Sequence, residues 1–396
     1  MSARHTQNRG NSRRKLTCIG LFAGVGGFEL GLQRAGHSVV LLSEIDKAAK
    51  SVLKRRFPGI PIVDDVRNLR ELPPETELVA AGFPCQDLSQ AGKTTGISGI
   101  NSNLVGEVFR LLGHQPVPWV LLENVPFMLQ LARGRAITLI VEELESLGYR
   151  WAYRVVDSRA FGVPQRRQRF FLLASNREDP RDVLYVDDAG DLPNSGRTRG
   201  VACGFYWTEG NRGLGWAVDA IPPLKGGSRV GIPAPPAILL SRGRIVTPDI
   251  TDAERMQGFP TNWTKPAELV ARKGHRWTLV GNAVTVQVAH WIGRRLASPS
   301  FYKQAADTPL TPEARWPRAA YNVGSGRFAA HLSAWPVRRK QKPLARFLRR
   351  SVPLSLKATS GFFERARASS LRLPDGFLKA VEAHLERMRR KVERRE

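Results

Sequence analysis

The sequence predicts an α/β protein built on a mostly parallel sheet with helices on both faces, and three observations predict it. Short apolar runs recur at residues 16–22, 37–42, 60–63, 78–81, 119–122 and 169–174; helically spaced stretches lie between several of them; and runs end on small or polar residues, as at Gly24, Glu44 and Glu123. Strands buried on both faces read as unbroken apolar runs, and helices supply the crossovers that parallel neighbours require.

The elements follow in order. Residues 1–15 carry five basic and no acidic side chains and read as a disordered arm. A strand over 16–22 runs into the turn Ala23-Gly24-Val25-Gly26-Gly27, and Phe28, Leu30, Leu32 and Ala35 suggest the helix behind it. The clearest later helix covers 135–147, with Leu139, Val141, Leu144 and Leu147, and residues 16–176 make the first domain. After Asn176 the periodicity gives way to Gly- and Pro-rich sequence, so 177–265 reads as a smaller, irregular domain. Helical patterning over 252–257 and 284–296 marks the return of order, and 266–300 rejoins the first domain. Residues 301–396 form a basic extension; Phe377, Val381, Leu385, Met388 and Val392, three or four residues apart, predict an amphipathic helix over 376–394.

Composition narrows the class. Formal charge is +26, yet 42% of residues are hydrophobic, with nine Trp and 17 Phe, enough to build a core and exclude wholesale disorder. Three Cys, at 18, 85 and 203, are too few for a disulfide framework or a Cys-based zinc site, so a reducing, cytoplasmic setting is expected and no metal. No run approaches the ~18 apolar residues of a membrane span, and no signal peptide is evident. Residues 337–396 hold 18 basic and six acidic side chains, so the excess charge is concentrated at the two ends, where it favours a nucleic-acid partner.

Four constellations could carry chemistry. Glu44 lies 20 residues past Gly24, where a ribose hydroxyl bound beside a glycine turn needs an acceptor; a plain glycine turn is the competing reading. Asp65, after the third strand, could take an adenine amino group. Gly82-Phe83-Pro84-Cys85-Gln86 sets Cys85 at the carboxyl edge of the sheet, where a nest of N–H groups would favour the thiolate; a small buried residue is the alternative. Cys18 suits the core, and Cys203 leans structural. Glu123-Asn124-Val125 ends another strand, where a carboxyl beside apolar sequence could hold a proton, or could merely be solvated or cap a helix. On an extended backbone Gln165, Arg167 and Arg169 share a face and suit an anionic or carbonyl-bearing ligand; a basic surface strand entry is equally open.

Taken together these motifs resemble a known family. F-A-G-x-G-G, S-E-I-D, G-F-P-C-Q-x-x-S-x-A-G, E-N-V, P-Q-R-R-Q-R, R-M-Q-G-F-P and V-G-N-A-V occur, between residues 19 and 296, in the order seen in DNA cytosine-5 methyltransferases of bacterial restriction–modification systems. The resemblance implies a Rossmann-like domain binding S-adenosyl-L-methionine, a target-recognition domain over 177–265, and a cytosine flipped out of double-stranded DNA. It implies that Cys85 attacks C6, that Glu123 bonds N3 and donates a proton, and that Asn124 orients the neighbouring loop. Arg169 would bond the cytosine O2 and Arg167 would steady the site or a phosphate, with Gln165 beside them. On the cofactor side it points to Phe22, Ala23, Gly24, Gly26, Gly27, Glu44, Ile45, Asp65, Val66, Pro84, Leu104, Asn282, Ala283 and Val284. The loop over 89–102 resembles the family's closing loop.

The sequence departs from the family at Gly20, where an acidic residue or Ser is frequent, at Leu88, where Phe is frequent, and in the spacing of Thr247–Asp252. Arg197, Arg199, Arg212, Lys225, Arg229, Arg242 and Arg244 are candidate base readers, although 177–245 carries eight acidic residues against nine basic ones. A monomer is expected, with a restriction endonuclease as functional partner rather than obligatory complex. An RNA cytosine methyltransferase, a silent nucleic-acid-binding scaffold and a nicotinamide oxidoreductase are the competing readings. The long insert after Asn176, the joint presence of Cys85, Glu123 and Arg169, and the missing third spaced glycine respectively weigh against them.

Overall fold

Two sheets organise the chain in a computed structural model that describes residues 13–84, 104–191, 200–226, 235–303 and 306–394. β1 (Thr17–Leu21) passes through the glycine turn into α1 (Gly27–Ala35), and β2 (Ser38–Ser43), α2 (Lys47–Arg56), β3 (Ile62–Val63) and β4 (Leu78–Gly82) follow. Next come α3 (Leu104–His114), β5 (Trp119–Asn124), α4 (Arg135–Ser146), β6 (Arg150–Asp157) and β7 (Gln168–Ser175). Strands β3-β2-β1-β4-β5 are parallel; β7 then pairs antiparallel with β5, and β6 antiparallel with β7.

The two-residue period of these strands sorts their side chains into two cores. Cys18, Leu78, Ala80, Trp119, Leu121, Phe171 and Leu173 face one side, against Phe28 and Leu32 of α1 and Val52 and Leu53 of α2. Ile19, Leu21, Val79, Ala81, Val120, Leu122, Phe170 and Leu172 face the other, against Val108 and Leu112 of α3 and Ile137 and Val141 of α4. This is the helix-covered, doubly buried sheet that the apolar runs predict.

One central strand gave no such run. β6 carries Arg154, which is fully buried and satisfied: Nε donates to Ser333 O at 2.9 Å, Nη1 to Leu184 O at 3.2 Å, and Nη2 reaches Asp188 Oδ1 at 2.6 Å. A buried cation with every donor used is tolerated, and it hides the strand from a reading based on apolar runs.

After α5 (Arg181–Leu184) the chain enters a second sheet with β8 (Cys203–Phe205), β9 (Ala217–Val218), β10 (Ala237–Leu239) and β11 (Ile245–Thr247). Its own core begins at Ala202, since Val183, Leu184 and Tyr185 still pack into the large core. The chain returns through α6 (Ile250–Met256), α7 (His275–Asn282) and α8 (Val286–Ala297), the last packed on α1.

The C-terminal residues serve both sheets. β12 (Thr308–Pro309), β13 (Ala319–Asn322) and β14 (Arg327–Ala329) extend the large sheet beyond β6, giving ten strands in the order β12-β14-β13-β6-β7-β5-β4-β1-β2-β3. β15 (Val352–Pro353) pairs with β11, and α9 (Leu356–Arg367) and α10 (Phe377–Glu393) close the small sheet's outer face through Phe362, Phe377 and Val381 against Phe205, Ala237 and Ile245. The amphipathic helix forms where its spacing predicts, with Phe377, Val381, His384 and Leu385 buried and Val392 left exposed. Among the described residues no helix is long and apolar enough to cross a membrane, and no three His, Cys, Asp or Glu side chains are grouped to hold a metal.

Candidate active site

Strand order reverses between β1 and β4, and at the carboxyl ends of these strands a cleft of about 870 Å³ opens. Phe22, Gly24, Glu44, Ile45, Asp65, Val66, Pro84, Leu104, Glu123, Asn124, Arg167, Arg169 and Asn282 line it. Residues some 100 positions apart in sequence thus share one wall because the strands that end in them are neighbours. Cys85 and the loop over 89–102 lie outside the described residues.

At one end the glycine turn sets the geometry. Phe22 and Gly24 both take φ near 55° and Gly26 φ 84°, so the backbone here curls through the left-handed region; Phe22 does so despite its side chain. Glu44 holds the turn: its Oε2 accepts the Gly24 N–H at 2.7 Å and its Oε1 the Asp46 N–H at 2.8 Å. Burial raises the pKa of Glu44, and these two N–H bonds oppose the rise. Ile45 stands 67% exposed at the mouth, an apolar surface facing the same cleft as Phe22. Asp65 is partly engaged: Arg67 Nη2 lies 2.6 Å from Oδ2, and that bond holds the carboxyl below its ordinary pKa.

At the other end sits a buried acid between two guanidinium groups. Glu123, paired in register with Gly82 of β4, places Oε1 3.1 Å from Arg169 Nε. Burial raises its pKa, while Arg169 and Arg167 pull it back. Arg167 is 1% exposed; its Nη2 donates to Ala283 O at 2.9 Å, while Nε and Nη1 have no hydrogen-bond partner among the described residues. Buried donors of a cation are costly to leave unpaired, so these donors mark a place for an acceptor. Asn124 Nδ2 donates to Phe83 O at 3.2 Å and its Oδ1 accepts the Val125 N–H at 2.8 Å, tying the end of β5 to the turn that leads to Cys85.

Some expected residues stand behind the wall. Ala23, Gly26, Gly27, Ala283 and Val284 do not line the cleft. Gly27 acts through close packing: a Cβ there would meet Val284 O at 2.6 Å. Gln165 is a correction. The strand begins only at Gln168, so the alternation that would have set Gln165 beside Arg167 and Arg169 does not apply. Gln165 pairs instead with Ile221 in an isolated bridge and is fully buried, its amide bonded to Leu224, Met256 and Gln257.

The structure also adds wall residues that sequence reasoning missed, among them Ser43, Asp46, Glu107, Thr278 and Gly281. Ser43 and Asp46 lie in the Ser-Glu-Ile-Asp motif and Gly281 in Val-Gly-Asn-Ala-Val; Glu107 and Thr278 carry no local signal. Gly20 makes room for Glu29, whose Oε1 would lie 2.0 Å from a Cβ at position 20. Cys18 and Cys203 are buried free thiols; burial pushes both pKa values up, that of Cys203 to about 11. Neither is poised as a thiolate.

The family model for C-5 cytosine-specific DNA methylases matches residues 16–195. The chain is 45% identical over 389 residues to the type II methyltransferase M2.BsuMI of Bacillus subtilis (strain 168), covering 94% of this chain and 99% of that one. It is 26% identical to M.DsaV of Dactylococcopsis salina, over 72% of this chain and 87% of that relative. Among solved structures, a Spodoptera frugiperda DNMT2 mutant aligns with 69% of this chain and 97% of its own at a TM-score of 0.47 and 16% identity. S. pombe Dnmt2 aligns with 72% of this chain and 98% of its own, also at 0.47, with 15% identity.

Proposed function

The chain belongs to the C-5 cytosine-specific DNA methylase family and is a DNA (cytosine-5-)-methyltransferase of the bacterial restriction–modification type; from that premise we propose that the two ends of the cleft hold S-adenosylmethionine and a flipped cytosine. The observation that carries the reading is the Glu123–Arg169 pair beside the unpaired donors of Arg167, in one cleft with the Gly24–Glu44 turn. Duplex DNA is the substrate, and flipping is needed because the ring carbons are inaccessible within the stack.

The cofactor end fits the group it would hold. Glu44 retains acceptor capacity toward ribose hydroxyls, Phe22 and Ile45 offer apolar surface to an adenine, and Asp65, Leu104 and Asn282 complete the wall. Bound S-adenosylmethionine supplies an electrophilic methyl group. The chain's own residues do the rest. Cys85, carried here on the family motif, forms the C6–S bond as a thiolate. Glu123, whose desolvation favours the protonated form, gives its proton to N3 and so offsets the charge entering the ring. Arg169 and Arg167 donate to the O2 region, and C5 becomes nucleophilic. C5 takes the methyl group, its proton passes to a solvent base as the C6–S bond cleaves and frees the thiolate, and the N3 proton returns to Glu123, leaving neutral 5-methylcytosine.

Duplex DNA carrying 5-fluorocytosine tests this, because fluorine at C5 cannot leave as a proton. With cofactor present, a denaturant-resistant protein–DNA adduct is expected in the wild type and absent from Cys85→Ala. No adduct from wild type on DNA of a sequence it methylates would refute the mechanism.

A further inference from the structure

Between the small sheet and the cleft runs a buried, directional chain of amides. The Leu224 N–H donates to Gln165 Oε1 at 2.9 Å. Gln165 Nε2 donates to Met256 O at 3.2 Å and to Gln257 Oε1. Gln257 Nε2 donates to Ala283 O, the same carbonyl that accepts Arg167 Nη2 at 2.9 Å. Gln165 and Gln257 are fully buried and Arg167 nearly so. Amide dipoles aligned head to tail polarise one another, and a satisfied buried network is rigid.

Both ends of this chain are seated on functional ground. Segment 221–226 is fixed to the large domain: Arg166 N–H donates to Ile221 O at 2.8 Å, and the Thr278 hydroxyl to Gly226 O at 2.7 Å. Thr278 and Gly281 line the cleft, and a Cβ at Gly281 would meet Gly226 N at 2.9 Å, so segment and cleft wall touch backbone to backbone. At the other end, among the described residues, only the Nη2 of Arg167 is anchored. The position of Ala283 O therefore decides where the unpaired Nε and Nη1 groups point.

We infer that Gln257 is a positioning residue, which fixes the Arg167 guanidinium through the carbonyl of Ala283 and ties it through Gln165 to segment 221–226. A displaced Ala283 carbonyl would misaim the Arg167 guanidinium, so losing the link lowers turnover rather than affinity alone. The kinetic half of this inference rests on the methyl-transfer reading of the cleft; the structural half does not.

Gln257→Met separates the two. It keeps one Gln165 Nε2 hydrogen on Met256 O and keeps Ala283 O bonded to Arg167, giving up only the Gln165–Gln257 and Gln257–Ala283 bonds. Hydrogen–deuterium exchange on the full chain without DNA is expected to quicken about tenfold in peptides spanning 221–226 and 282–288 together. Unchanged exchange in 221–226 would overturn the link.

Transfer from tritiated S-adenosylmethionine to unmethylated bacterial genomic DNA is expected to lose about tenfold or more in kcat, with both KM values within about twofold of wild type. Gln257→Glu should regain rate as pH falls, since only its protonated carboxyl donates to Ala283 O. A change in KM at constant kcat, or equal loss in Gln257→Glu at every pH, would overturn the positioning role. If wild type methylates no DNA at all, the methyl-transfer reading fails while the exchange result still decides the link.

Discussion

In the large sheet, strands of five to eight residues such as β1, β4, β5 and β7 are covered on both faces, largely by helices from their own stretch of chain. The small sheet has strands of two or three residues, and α9 and α10, which cover its outer face, come from the far end of the chain. The larger structure can therefore hold rigid strand ends and a cleft lined by buried charge. The smaller one depends on long-range closure, and the basic C-terminal extension supplies it. Much of the charge excess thus sits in a segment that also completes a fold.

The comparison is sharpened most by Glu123→Gln. Removing the proton donor while keeping the shape should lower kcat by roughly 10²–10⁴-fold and leave S-adenosylhomocysteine binding within a factor of a few. Single-turnover kinetics beside calorimetric titration would show it. Parallel loss of both would mean that the two ends of the cleft are not separable.

Phe377→Ala probes the other region. The side chain is 1% exposed and its ring lies 5.1 Å from Phe205 and 5.0 Å from Trp216, so truncation should cost about 3–5 kcal/mol. DNA affinity should fall with the small module while cofactor binding persists. A single unfolding transition that removes both would show that the two regions stand or fall together.

Glu29→Gln tests the large core with pH. Burial raises the Glu29 carboxyl from an ordinary 4.5 to about 8, so across that window the unfolded chain releases a proton that the folded chain keeps. Stability should fall as pH rises between about 4.5 and 8 and level off above, a change of roughly 3–5 kcal/mol for this group. Urea unfolding at pH 5.5 and 8.5 should show a smaller difference in the variant. An unchanged pH dependence would mean that Glu29 does not carry it.

Much of this was legible in the sequence, for local reasons. Apolar runs ending in glycine or an acid marked β1, β2, β4 and β5, and with them Gly24, Glu44 and Glu123, because buried parallel strands leave an unbroken signature and their ends face the cleft. β6 was hidden by Arg154, whose partners at Leu184, Asp188 and Ser333 are distant in sequence. Gln165 leaves the face its sequence position suggests because the strand begins only at Gln168, three residues later. The stripe of α10 was readable, yet what it covers was not, since contact between Phe377 and Phe205 leaves no local pattern.

The central claim is that the Glu123 end of the cleft directs methyl transfer to C5 of cytosine in duplex DNA. The most direct test is to express the chain in a bacterial host free of cytosine methylation and to map modified bases at single-base resolution, with Glu123→Gln alongside. The account predicts 5-methylcytosine confined to one short sequence in the wild type and a near-unmodified genome in the variant. An unmodified genome from the wild type, or methyl groups on exocyclic nitrogens, would contradict it.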